Sequence, residues 1–560
     1  MKAWATWSPL ITAGFGSLLF LAAPRPSVAA PQSESQQRLC AIKGTVTNAV
    51  TGQGLQKAYV RLEGKGGSYP TVTDSGGRFA VENIQPGSYS LNAEHQGFIE
   101  SRFGDAQGVR LEIQLTPGQI LTDITIKLTP QAVISGRVVD EDGDIWTHSQ
   151  IGLFRSIFEH GRRQLEGFTG AEVNDQGEFR LGQLPPGTYY LSAEPDSGWE
   201  SRNRPPAKEA VAWRLLTWYP SSADPESSTA VTVGPGDQLA GLEIRLRRGS
   251  VHAIRGKLVG GENIPEERGQ FSQRSISANG SAAGANGLRG AIRSDGTFEI
   301  PNVPSGNYDI HVRQGFPPLN LGSLKVQIGD RDLEDVSVQL VPPRPLKGVI
   351  QYEEKEAVKL SVSTVQLEPF VPSWSRSTTS REDGSFEFPL VGSERYRVYV
   401  HAGPGKYLKQ IRYGDAVSTD GTISLTGVIE NLILVLSTRG ARVTGTVTGT
   451  GEPSNPAEQA KGGVATYQVV LVPKAAPGDA RLATLDQNGT FSLSDIPPGT
   501  YTLYAFEGVP NGAWEDSAFM REVSGSGTEI ELVEGDVRTV DLPVILKSKL
   551  APILKKLGME

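Results

Sequence analysis

The chain has 560 residues, 38% of them hydrophobic and 21% charged, with a net charge of −8. One hydrophobic core cannot fill that length, so about four to five domains of ordinary size are expected. The composition excludes a disordered chain, and an acidic balance with no dense Lys/Arg run ahead of the final segment excludes nucleic acid as a partner.

At the amino terminus, Lys2 precedes an uncharged apolar run from Leu10 to Ala23, followed by Ser27-Val28-Ala29-Ala30-Pro31. The run is too short to span a bilayer but suits the core of a secretory signal. Residues 1–29 are therefore read as a signal peptide cleaved after Ala29, and 30–39 as a linker. No other stretch reaches membrane-spanning length. The expected destination is the periplasm, the outer cell surface or the medium. Cys40 is the single cysteine, so no intrachain disulfide can form; it lies too far from the apolar run for lipidation and reads as a strand cysteine.

From there one pattern recurs five times. An Asp-Gly turn precedes a Phe, an apolar residue follows two positions on, and a Tyr comes ten residues after the Phe: 79→89, 179→189, 298→308, 386→396 and 491→501. Phe-x-apolar and Tyr-x-apolar each place two side chains on one face of a strand, and Pro-Gly between them turns the chain sharply. Pro86-Gly87, Pro186-Gly187 and Pro498-Gly499 carry that turn, whereas the fourth copy has Ser393-Glu394. Each unit opens alike, with a Gly inside an alternating strand: Ile42-Lys43-Gly44, Ile134-Ser135-Gly136, Ile254-Arg255-Gly256, Leu346-Lys347-Gly348 and Val443-Thr444-Gly445. Each closes with a further alternating strand, as in Ile124-Thr125-Ile126-Lys127-Leu128. Many short strands at even spacing predict an all-β chain, a tandem array of five transthyretin-like or immunoglobulin-like β-sandwich modules. The boundaries read 40–131, 132–248 (with an inserted loop), 249–343, 344–440 (divergent) and 441–546, then a C-terminal tail at 547–560. Linkers of a few residues favour a semi-rigid rod.

The opening Ile-x-Gly-x-Val and the run Asn174-Asp175-Gln176-Gly177-Glu178-Phe179 through Leu184-Pro185-Pro186-Gly187-Thr188-Tyr189 resemble the carboxypeptidase regulatory-like domain. The resemblance implies a transthyretin-like sandwich within the carbohydrate-binding-like fold group, and it covers about 40–545. It does not imply peptidase activity, since the family's modules are appendages of enzymes.

The six histidines are scattered, with no zinc-ligand spacing, and no nucleophile elbow or phosphate loop occurs. The expectation is a protein that is not an enzyme and carries no cofactor. Asp140-Glu141-Asp142-Gly143-Asp144 offers alternating carboxylates, Asp140, Asp142 and Asp144, as a calcium candidate; the plainer reading is a hairpin turn. An isopeptide crosslink would need an Asn in a closing strand, and the closing strands offer only Asn431.

Tryptophans outside the repeated positions are Trp146, Trp199, Trp213, Trp218, Trp374 and Trp514. Trp213, Trp218 and Tyr219, in the longest insertion, form the candidate sugar-stacking platform, against the plainer reading that they pack on their own sandwich. The tail has Leu550, Ile553, Leu554 and Leu557 at helical spacing. The leading expectation is an exported, non-catalytic binding protein for a polysaccharide or cell-surface glycan. The alternative is a structural or adhesive scaffold contacting envelope proteins, and a distant third is a set of accessory modules of a peptidase system.

Overall fold

The computed structural model describes residues 38–103, 111–159, 162–196, 213–261, 274–280, 287–315, 319–354, 362–370, 375–425, 431–449, 467–476, 479–486 and 488–559. The expected signal peptide, most of the linker after it, Trp199 and Trp374 lie outside the described residues.

The chain is all-β, and each repeat builds one set of strands around its opening strand and another around its Tyr-bearing strand; in the third repeat Leu288–Ile292 joins the two into a continuous sheet. In one sheet the opening strand is central. Cys40–Asn48 pairs antiparallel with the Phe-bearing strand Arg78–Ile84 and parallel with the closing strand Ile120–Leu128. The same trio recurs as Ala132–Val139 with Glu178–Leu184 and Gln238–Arg245, and as Val251–Val259 with Thr297–Pro304 and Leu333–Gln339. It recurs again as Arg344–Tyr352 with Ser385–Val391 and Leu432–Ser437, and as Ala441–Thr448 with Thr490–Ile496 and Leu542–Ile545. The other sheet is built around the Tyr-bearing strand. In the first repeat that strand, Gly87–Glu94, lies between Tyr59–Gly64 and Leu111–Leu115.

The repeated residues meet in space for steric reasons. The glycine of each opening strand faces the ring of its own repeat's Phe. A Cβ at Gly44, Gly136, Gly256, Gly348 or Gly445 would stand 3.0 Å or less from Phe79, Phe179, Phe298, Phe386 or Phe491. It would also press on a carbonyl oxygen of the parallel closing strand, that of Ile124, Leu242, Val336, Leu432 or Val540. Ring and backbone fill the volume, so only glycine fits.

The Tyr hydroxyl closes the turn it follows. It donates to the carbonyl four residues back, Tyr89 to Gln85 and Tyr189 to Pro185 (2.7 Å each), Tyr308 to Pro304 (2.9 Å), Tyr396 to Gly392 (3.2 Å) and Tyr501 to Pro497 (2.8 Å). The turn before each Phe is held by an Asx side chain. Asp74, Asn174 and Asp486 accept two backbone N–H groups each, and Asp295 and Asp383 accept one. In the second repeat it is Asn174 that bonds, one residue ahead of Asp175.

Among the described residues, buried side chains gather into six clusters. Five draw on one repeat apiece. The sixth lies on the outer face of the fifth repeat's Tyr sheet. There the helices α1 (Ser517–Val523) and α2 (Lys547–Leu557) cover Tyr504 and Phe506 with Phe519, Leu550 and Leu554. Asp516 caps α1 by accepting from the N–H groups of Ala518 and Phe519. The C-terminal tail is therefore a docked helix. Two-sided burial also explains why Tyr467–Val472 is buried at every position instead of alternating.

The array does not extend as a rod. Leu111–Leu115 of the first repeat pairs in parallel with Thr484–Asp486 of the fifth, through Leu485↔Leu111 and Asp486↔Glu112. Open sheet edges present unpaired backbone groups, and these two satisfy each other.

Candidate functional site

The second repeat concentrates the residues picked out by sequence. Its acidic turn follows Ala132–Val139, and the Asp140 side chain organises it. One carboxylate oxygen accepts from the N–H groups of Asp142 (3.1 Å) and Asp144 (3.0 Å), and the other accepts from Arg214 Nη2 at 3.0 Å. Glu141 pairs with Arg214 Nε at 3.8 Å and with Arg248. The Arg214 guanidinium lies over the Trp146 ring, 4.0 Å from its centroid, and Trp146 Nε1 donates to the His148 carbonyl at 3.0 Å. Burial pushes the Asp140 carboxyl up, but Arg214 and the two backbone N–H groups outweigh it and hold the group below the usual carboxylate range.

The carboxylates that approach one another within 4.8 Å are Asp140, Glu141 and Asp142. Asp144, the third member of the expected calcium set, contributes a backbone N–H to the turn and exposes its side chain. Arg214 comes from Trp213–Leu215, and Arg248 from Arg247–Gly249, which pairs with it. These guanidinium groups supply the positive charge that the carboxylates would otherwise require of a cation. The plain turn is thus given a second task, anchoring the insertion to the sandwich.

The three aromatics of the candidate platform differ in exposure. Trp218 is 4% exposed and packs on Phe154 at 4.9 Å between centroids. Tyr219 is half-buried against the second repeat's core. A ring covered on its faces cannot stack on a sugar, so the three residues do not form one exposed surface. Strand pairing and apolar burial decided this: Thr217–Trp218 adds to the edge of its own repeat's Tyr sheet, Ser192↔Trp218, and buries the indole against Phe154. Trp146 and Trp514, expected in loops or edges, are buried at 8% and 5% exposure.

Trp213 is placed differently. It is half-buried and lines a cleft of about 410 Å3 between the second and third repeats, together with Glu194, Arg214, Arg289, Pro301 and Asn302. Burial raises the Glu194 carboxyl above its ordinary value. The arrangement joins an indole to two guanidinium groups, a carboxyl and an amide, groups able to bind a polyhydroxylated ligand.

Sequence reasoning missed Arg214 and Arg248 as partners of the acidic turn, and also helix α1. The only signal for the arginines was their position in the same insertion as the tryptophans. For α1, Asp516 ahead of Ser-Ala-Phe-Met was a legible N-cap. Cys40 is buried, and its thiol donates to the Thr116 carbonyl at 3.1 Å. Among the described residues no helix is long and apolar enough to cross a membrane.

The family profile of the carboxypeptidase regulatory-like domain matches residues 41–129, the first repeat. Among curated proteins, none matches the chain. Solved structures similar to it include the TIE protein of Bacillus anthracis, at 12% identity and a TM-score of 0.15, covering 71% of this chain and 68% of that one. The minor pilin of Streptococcus agalactiae is 11% identical with a TM-score of 0.21, covering 38% and 97% respectively. Two B-repeat units of the collagen-binding protein of Staphylococcus aureus are 10% identical with a TM-score of 0.12, covering 71% and 100%.

Proposed function

We propose that this chain is an exported, non-catalytic scaffold: five β-sandwich modules, delivered by the signal peptide at 1–29, that present sheet faces and inter-module clefts to partners at the cell envelope. One observation carries the reading. The third repeat packs directly on the fourth, and polar contacts tie the fourth to the fifth, in place of bare linkers. Asn320 of the third repeat meets the turn at Gly392 of the fourth. Lys409 and Tyr407 of the fourth bond Glu534 of the fifth at 2.9 and 2.6 Å. Contacts of this kind fix the spacing between binding surfaces, which a scaffold needs and a set of free beads lacks. Small-angle scattering tests it. A single compact, salt-insensitive profile supports the scaffold, and a profile of independently tumbling modules would sink it.

A second reading, carbohydrate binding, rests on Trp213 and its cleft. The acidic turn supports that cleft by holding Arg214 in place. A glycan array probed with the mature chain tests this reading. Saturable binding that Trp213→Ala abolishes and Trp218→Phe leaves intact supports it, and binding insensitive to Trp213→Ala removes this cleft from consideration.

A further inference from the structure

In four repeats a glycine stands two residues before the turn-closing Tyr, at Gly87, Gly187, Gly306 and Gly499; in the fourth that residue is Glu394. On an isolated sandwich this turn would leave a glutamate side chain in water. Here the third repeat covers it. Gly392 is buried, and a Cβ on it would stand 3.2 Å from the Asn320 carbonyl oxygen. Within this joint the Glu394 Oε2 atom is buried and has no hydrogen-bond partner.

We propose that the joint between the third and fourth repeats is operated by a proton on Glu394, docking with the carboxyl neutral and loosening as it ionises. The groups around the carboxyl fit this role. Tyr396 is committed to Gly392, accepting from its N–H at 3.1 Å and donating to its carbonyl at 3.2 Å. The Asn320 amide, oriented to satisfy both its ends, donates to the Val312 and Gly322 carbonyls at 3.3 and 3.0 Å. The Asn320 side chain, Arg313 of the third repeat and Arg376 of the fourth all favour the ionised form, but burial outweighs them and raises the Glu394 carboxyl to about 7.

The sign follows from linkage. Undocked, the carboxyl titrates near the ordinary 4.5, and docked near 7. The docked form therefore binds the proton more tightly, and its advantage is full below the lower value and lost as pH rises through the upper one. Between pH 8 and pH 6 the docking constant should rise about tenfold. His311, beside Arg313, acts in the opposite sense. Burial and the Arg313 charge lower its pKa, so its own contribution weakens as pH falls.

Hydrogen exchange on the full chain, corrected for intrinsic rates, reads the joint through peptides containing Gly392 and Asn320. Wild type should gain about tenfold protection from pH 8 to pH 6. Glu394→Gln, a fixed mimic of the neutral carboxyl, should be protected at both pH values with no gain. Glu394→Gly, which restores the residue of the other four repeats, should also lose the pH dependence, and keeps the test open if the glutamine variant folds poorly. His311→Gln removes the opposing group and should show a gain at least as large as that of wild type. A flat wild-type profile would overturn the proposal. So would a Glu394→Gln joint less protected than wild type at pH 8, because an ionised carboxylate would then be holding it.

Discussion

Replacing Gly136 with Ala tests the steric account of the repeat most directly. Gly136 has no left-handed backbone requirement, so alanine costs nothing in backbone conformation and the whole effect must come from packing. The added methyl would stand 2.8 Å from Phe179 Cζ and press on the Leu242 carbonyl of the parallel closing strand. Overpacking a filled core costs about 1–3 kcal/mol. Displacing one ladder carbonyl adds about 0.5–1.5 kcal/mol. The second repeat should therefore lose roughly 2–4 kcal/mol, a large share of a domain's ~5–15 kcal/mol. Hydrogen exchange on Ala132–Val139 reports the loss locally, with the opening strands of the other repeats as internal controls. Phe179→Leu removes the ring tip, so Gly136→Ala should cost less in that background, by about 1 kcal/mol of coupling. A silent Gly136→Ala, or an equal cost in both backgrounds, would refute the reasoning.

Arg214→Ala strips the partly buried Asp140 and Glu141 of their main counter-charge and should destabilise the second repeat by about 2–3 kcal/mol in thermal or urea unfolding. With Arg248→Ala added, calcium should raise the melting temperature of the double variant but not of wild type. At the joint of the fourth and fifth repeats, hydrogen bonds from Tyr407 and Lys409, with Arg439 nearby, hold Glu534 down at about 2. A depressed carboxylate stabilises above its ordinary pKa of 4.5 and loses that contribution as pH falls towards 2. This joint should loosen between pH 4.5 and 2, and Glu534→Gln should weaken it at neutral pH by about 1–3 kcal/mol, the lower end reflecting solvent screening of Lys409 and Arg439. Leu550→Ala should cost the fifth repeat about 2–4 kcal/mol and raise dye binding to the uncovered sheet face around Tyr504 and Phe506, since Leu550 is fully buried there.

Local rules made the sandwiches legible in the sequence. The alternation of Phe79 with Val81 and of Tyr89 with Leu91, the turn glycines and the ten-residue interval are short-range features, and each acts within one hairpin. The same rules could not settle what lies on the outer sheet faces. Trp218 reads either as part of an exposed platform or as packing on its own sandwich, and only the fold places it against Phe154. The Asp140 segment reads as a hairpin turn with a calcium set as the alternative, and nothing local announces Arg214, the partner 74 residues away. Glu394 reads as a lapse in the fourth repeat, yet it stands where the third repeat packs.

The sequence by itself determined the all-β class, the repeating unit and its strand-turn chemistry, because periodicity and turn propensity are encoded within a few residues of where they act. Only the tertiary structure decided which aromatics are covered, which charges are paired and how the repeats join. Burial and ion pairing depend on residues distant in the chain meeting in space, and no local pattern carries that distance.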